Sequence, residues 1–200
     1  MPPLLSISII AFYLSILISL VIHFQLVKKD EKFSSLGCFA IFIPATISYF
    51  LLLNYTGLKT LLAGLPLFVF GLYSDLKAEK PNLIGLSIAN LLSSAFFLLI
   101  TRQLSLSLLL LFTSIFLNYS VKPKKHIEAL YAIFFSIISL LAHGRVENLL
   151  KLTVIMAVST TGIALTNIKK IRIRLGYCGI YLVNFISAFV LSLTIIKLME

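Results

Sequence analysis

Long apolar runs, broken only by short gaps that hold nearly all the charge, constrain this chain more than any other feature. The runs cover roughly residues 4–26, 36–53, 58–73, 83–100, 104–117, 127–141, 149–165 and 175–196. A spanning helix needs about 20 apolar residues, within a range of about 17–25. The third, fifth and sixth runs fall short and are expected to extend into flanking polar residues or to be surrounded by neighbours. Inside a bilayer every backbone polar group must be paired, so helices are the natural reading. A barrel would require alternating strands, and no alternation is visible. The composition agrees: 60% of the chain is hydrophobic and 12% charged, against about 45–50% apolar and about 25% charged in soluble domains. The expected fold class is all-α, a polytopic membrane helix bundle of about eight transmembrane helices. Residues 1–200 are expected to form a single transmembrane domain, since eight spans leave no room for a soluble module.

The basic residues alternate between the gaps. Lys28, Lys29 and Lys32 follow the first run, and Lys77 and Lys80 the third. Lys122, Lys124 and Lys125 follow the fifth, and Lys169, Lys170, Arg172 and Arg174 the seventh. Only Lys59, Arg102, Arg145, Lys151 and Lys197 lie elsewhere. Short cytoplasmic loops of membrane proteins carry the excess of Lys and Arg. The four basic gaps are therefore expected on the cytoplasmic side and both termini on the other. The net charge of +10 is spread over loops beside membrane segments. Topology and anionic headgroups explain it, and no nucleic-acid partner is expected. The first run has no basic n-region and is too long for a signal-peptide core, so it is expected to be the first span. Cys38 and Cys178 suggest neither a disulfide framework nor a zinc site and read as small apolar filler.

Pro44 and Pro66 fall inside apolar runs and are expected to kink helices. Asn54-Tyr55-Thr56 and Asn118-Tyr119-Ser120 match the glycosylation sequon, a pattern short enough to arise by chance.

Seven acids exist, and Asp75 is the most suggestive. It lies in Gly71-Leu72-Tyr73-Ser74-Asp75-Leu76-Lys77, at the cytoplasmic end of the third run. A carboxylate there can hold Mg²⁺, deprotonate a substrate or pair with Lys77; a solvated helix end with an ion pair is the simpler reading. Glu128 opens the sixth run, where the helix dipole favours an acid. The stretch 167–174, with Lys169, Lys170, Arg172 and Arg174, suits a diphosphate or a lipid phosphate, and equally a topology anchor. No Ser/His/Asp set, Cys/His cluster or Gly-rich phosphate loop is readable.

Taken together, these loops resemble the polyprenyl-phosphate N-acetylhexosamine-1-phosphate transferases. These multispan enzymes move a sugar-1-phosphate from a UDP-sugar to a polyprenyl phosphate, release UMP, and require Mg²⁺. The family segment G-L-x-D-D-L-K is matched by Gly71, Leu72, Asp75, Leu76 and Lys77, with Ser74 in place of the first aspartate. The segment I-D-G-L-D-G-L resembles residues 127–133, where Glu128 keeps a carboxylate and Tyr131 replaces the other. The segment N-x-x-P-A-K-I-F-x-G-D-x-G fits residues 167–179 without gaps. It keeps Asn167, Ile173, Gly176 and Gly179, with Arg172 for the lysine and Tyr177 where the family has its metal-binding aspartate. The family stretch T-P-R-G-G-G-L-A-I-F looks like residues 33–42, with the arginine and most glycines lost.

The resemblance runs through nearly the whole chain in order. It implies a location in the plasma membrane, as in a bacterium or archaeon, and a cytoplasmic site. Family members continue into a His-rich loop and further helices, which this chain is expected to lack. The substitutions fall on the chemistry, because a neutral tyrosine is a poor Mg²⁺ ligand. The leading expectation is a shortened, degenerate relative with weak or lost catalysis. It would act as a polyprenyl-phosphate binder or as partner subunit of a glycan-assembly enzyme, with a homodimer as a further option. The alternative is an active Mg²⁺-dependent transferase using a UDP-sugar, with Asp75 and Glu128 as catalytic groups and Lys77 or the 169–174 cluster on the diphosphate. A small membrane transporter ranks third, because charges cluster in loops and the polar residues within runs are mostly Ser, Thr and Asn, such as Asn90 and Asn184.

Overall fold

In the computed structural model, residues 2–27, 36–77, 80–120, 127–143, 146–168 and 173–199 are described. Among them every regular element is helical. The helices are α1 (Pro2–Ile22), α2 (Phe39–Leu51), α3 (Tyr55–Ala63), α4 (Leu65–Lys77), α5 (Leu83–Thr101), α6 (Leu104–Ser120), α7 (Ile127–Ala142), α8 (Glu147–Ile168) and α9 (Gly176–Met199). A π-helical turn, His23–Val27, extends α1.

The helices coincide with the apolar runs, with one difference. The third run is two helices, α3 and α4, meeting at 47°. Gly64 separates them, and Pro66 follows in the first turn of α4. A proline there lacks only an N–H that has no helical partner anyway, so it starts a helix cheaply while preventing α3 from running through. Pro44, in contrast, lies within α2.

Among the described residues, four helices are long and apolar enough to cross a membrane, rising to five if α3 and α4 count as one bent span. The helices also turn large apolar side chains outward. Leu99 is 75% exposed and Leu140 is 77% exposed. A water-soluble protein would bury such side chains; a lipid-embedded one need not, because hydrocarbon is their preferred solvent. This is the make-up of a helical membrane protein.

The chain divides into two compact units, 1–58 with 124–176 and 59–123 with 177–200. In the first, α8 packs against α1, α2 and α7, and α1 against α2. Polar side chains join these helices through backbone carbonyls. The Tyr49 hydroxyl donates to Leu152 O at 2.9 Å, and the Ser15 hydroxyl to Ser159 O at 2.8 Å. Asn54 is fully buried. Its Oδ1 accepts Gly57 N–H at 3.1 Å, and its Nδ2 donates to Asn148 O at 3.2 Å. The sequon at Asn54 thus reads as the N-terminal cap of α3.

In the second unit α5 packs against α4 and α6. A buried amide chain links α5, α6 and α9. Asn90 Oδ1 accepts from the Ser114 hydroxyl at 2.7 Å and from Asn118 Nδ2 at 2.9 Å. Asn118 Oδ1 accepts from Asn184 Nδ2 at 3.0 Å. Side-chain amides hold apolar helices together in this way because hydrocarbon offers them no other partners. The second sequon asparagine, Asn118, is therefore a buried network residue. Beyond this chain the Phe97 and Phe189 rings meet at 5.4 Å between centroids.

Candidate functional site

Asp75 is the centre of the candidate site, and its setting follows from the spacing of α4. Gly71 and Asp75 are four residues apart, hence on one helix face, and both are buried. That face meets the first turn of α9. A Cβ on Gly71 would come within 2.5 Å of both the nitrogen and the Cα of Cys178, so only glycine lets the two backbones approach this closely.

The approach brings the Asp75 carboxylate onto the exposed N–H groups of α9. Oδ1 accepts Tyr177 N–H at 2.9 Å, and Oδ2 accepts Cys178 N–H at 2.9 Å. First-turn N–H groups have no intrahelical acceptor. The sequence before Tyr177 reads Arg174-Leu175-Gly176, which contains none of the side chains that normally cap. Gly176 has φ 61°, in the left-handed region that favours glycine. Asp75 supplies the missing cap from another helix, and its negative charge suits the positive end of the α9 dipole. It is 8% exposed. The expectation of a solvated helix end is thus corrected: close helix packing buries the carboxylate. Lys77 extends outward with its ammonium 4.5 Å from the Tyr73 ring centroid, in a cation–π arrangement one helical turn apart.

Around Asp75 the motif positions are neutral. Buried Ser74 donates its hydroxyl to Phe70 O at 3.2 Å. Tyr177 is half-buried, with its ring centroid 5.8 Å from that of Tyr181, which stacks on Phe70 at 6.4 Å. Gly179 is buried in the same first turns of α9. The structure therefore brings Gly71, Ser74, Asp75 and Tyr177 to one place.

In the first unit, three other singled-out segments meet on residues 173–175. Glu128, 2% exposed in the first turn of α7, accepts Leu175 N–H at 3.2 Å through Oε1. Asn167 Oδ1 accepts Ile173 N–H at 3.1 Å. Gly37 N–H donates to Arg174 O at 3.1 Å. Tyr131 is buried three residues after Glu128. Glu128 is thus placed by the helix start, as its sequence position suggests, and also fixes the strand of chain that leads into α9. Arg174 is exposed. Lys169, Lys170 and Arg172 lie outside the described residues. The two cysteines are fully buried, and neither is a free thiol, which corrects their reading as simple filler.

A Mg²⁺ ion bound by protein needs oxygen ligands with one or two carboxylates among them. Each Asp75 oxygen is already engaged by a backbone N–H, and its neighbours Ser74 and Tyr177 are neutral. Among the described residues no three His, Cys, Asp or Glu side chains group as a metal site. The described residues around Asp75 do not supply the ligand set of the ion that the resemblance implies.

Sequence reasoning missed the amide chain as a unit. Its signal was present: asparagine is costly in an apolar helix unless paired, and Asn90, Asn118 and Asn184 each stand in one. No family model matches the sequence, and no curated protein or solved structure matches the chain.

Proposed function

We propose that this protein is a multispan membrane protein on a frame like that of the polyprenyl-phosphate sugar-phosphate transferases, and that it binds a polyprenyl phosphate without efficient turnover. It crosses the membrane eight times, with α3 and α4 as one bent span. Both termini are extracytoplasmic, and the four basic gaps are cytoplasmic, where they meet the lipid phosphate. The observation that carries the reading is the use of Asp75. The acid that best matches the family chemistry spends both oxygens capping α9. A carboxylate held in that way organises the fold and is poorly placed to ligate a metal or to accept a substrate proton.

Either Lys77 or the cluster Lys169, Lys170, Arg172 and Arg174 supplies the charge for the phosphate. Arginine and lysine bind phosphate by charge-assisted hydrogen bonds, which a neutral polyprenol cannot make. Loss of the metal-ligating acids removes the electrostatic stabilisation on which phosphoryl transfer depends, while leaving this binding intact. A role beside an active glycan-assembly enzyme follows, since a binder of the shared lipid carrier works with the enzymes that consume it.

The test is binding of a radiolabelled polyprenyl phosphate to the purified protein in detergent, with the matching polyprenol as competitor. Retention of the phosphate, not displaced by the alcohol and weakened at high salt, is expected. Equal binding of phosphate and alcohol, or none, refutes the reading.

A further inference from the structure

Among the described residues of the second unit are three hydroxyls that its packing does not explain. Helical Ser and Thr side chains usually return their hydrogen to the carbonyl one turn back, as Ser8, Ser87 and Ser107 do here. Ser93, Ser94 and Ser187 do not. Their Oγ atoms are buried without a protein partner, and the residues are 0%, 6% and 4% exposed respectively.

Their positions are bracketed. Ser93 and Ser94 lie three and four residues beyond Asn90 on α5, on the face that Asn90 turns toward α6. Ser187 lies three residues beyond Asn184 on α9. At one end the amide chain from Asn90 through Asn118 to Asn184 ties the helices together. At the other end Phe97 meets Phe189. Along α5 and along α9 the three serines fall in sequence between the residues that make these two ties.

A buried hydroxyl without a partner costs about 1–3 kcal/mol. A water molecule offers both donors and acceptors and is stable in a protein interior when two to four polar groups hold it. We propose that the interval between α5 and α9 is an internal water site, in which ordered water bridges Ser93 and Ser94 to Ser187 next to the amide chain. A monovalent cation suits it poorly. Asn90 Oδ1 already accepts two hydrogen bonds and Asn118 Oδ1 one, and none of the bracketing residues is acidic. The water also acts as a polar link between α5 and α9, where lipid supplies none.

The test uses the full chain in detergent, followed by circular dichroism on heating, with Ser93→Ala, Ser187→Ala and the double variant. If one water serves both hydroxyls, each single variant lowers the midpoint by about 2–4 °C. The double variant then loses less than the sum of the singles, because both act through one partner. Unchanged or raised midpoints in the single variants, the mark of dry hydroxyls relieved by removal, overturn the proposal, as do strictly additive losses. If the variants fail to fold, the wild-type protein decides. A map resolving ordered water shows density within hydrogen-bonding distance of Ser93 or Ser94 and of Ser187, or its absence overturns the site. A wild-type midpoint that shifts between sodium, potassium and choline chloride at equal ionic strength assigns the site to a cation and also overturns it.

Discussion

Gly71 and Cys178 are in backbone contact: a single carbon added to Gly71 would lie 2.5 Å from the Cys178 nitrogen. This closeness lets Asp75, one turn along α4, reach the first turn of α9. Gly71→Ala forces the α4 and α9 backbones apart. Overpacking of this kind costs about 1–3 kcal/mol. A lower unfolding midpoint in detergent is expected, and a midpoint equal to wild type would contradict the contact.

Asp75 is predicted to be a structural residue. Asp75→Ala leaves the Tyr177 and Cys178 N–H groups without their acceptor, at about 1–3 kcal/mol. Asp75→Asn keeps one acceptor oxygen and turns a donor toward the other N–H, so it falls between wild type and alanine. Thermal melts in the absence of any substrate check this order. Equal stability of all three proteins would mean that the carboxylate serves something other than α9.

How far the sequence foretold this arrangement differs by element. The helices were legible because apolar runs bounded by charge leave a membrane chain little choice. The bend at Gly64 and Pro66 was only half legible: the proline was visible, but one run of hydrophobicity spans two helices. Asp75, Glu128 and Asn167 stood out in the sequence as polar residues at the ends of apolar runs. Their common task did not: Asp75 and Glu128 cap backbone N–H groups far away in the chain, and no local pattern records such a partner, while Asn167 caps the nearby Ile173. The use of Gly71 was hidden for the same reason.

The amide chain provides a third prediction. Asn184→Leu removes the donor to Asn118 and leaves its carbonyl oxygen without that bond. Interhelical hydrogen bonds in membranes average about 0.6 kcal/mol and reach about 1.7 kcal/mol. A modest fall in the melting midpoint is expected, larger than for Leu99→Ala, which trims a side chain that is 75% exposed. The reverse ranking would remove the network from the account.

Topology is checked by thiol labelling, and the native cysteines do not interfere, being buried and not free. Asn54 is unsuitable because it is buried and caps α3. Its neighbour Tyr55 is 64% exposed. In intact cells Tyr55→Cys is expected to react with an impermeant maleimide, and Lys80→Cys, in a basic gap, to react only after lysis. The opposite pattern would invert the proposed orientation.

The proposal that a transferase-like frame has given up its chemistry while Asp75 holds α9 in place is tested most directly by UMP release. Purified wild-type protein and Asp75→Asn are incubated side by side with polyprenyl phosphate, Mg²⁺ and a panel of UDP-N-acetylhexosamines. The account predicts no release above the protein-free control from either, with the wild type shown to be folded by its melt. Mg²⁺-dependent release from the wild type that disappears in Asp75→Asn would contradict it and establish Asp75 as a catalytic group.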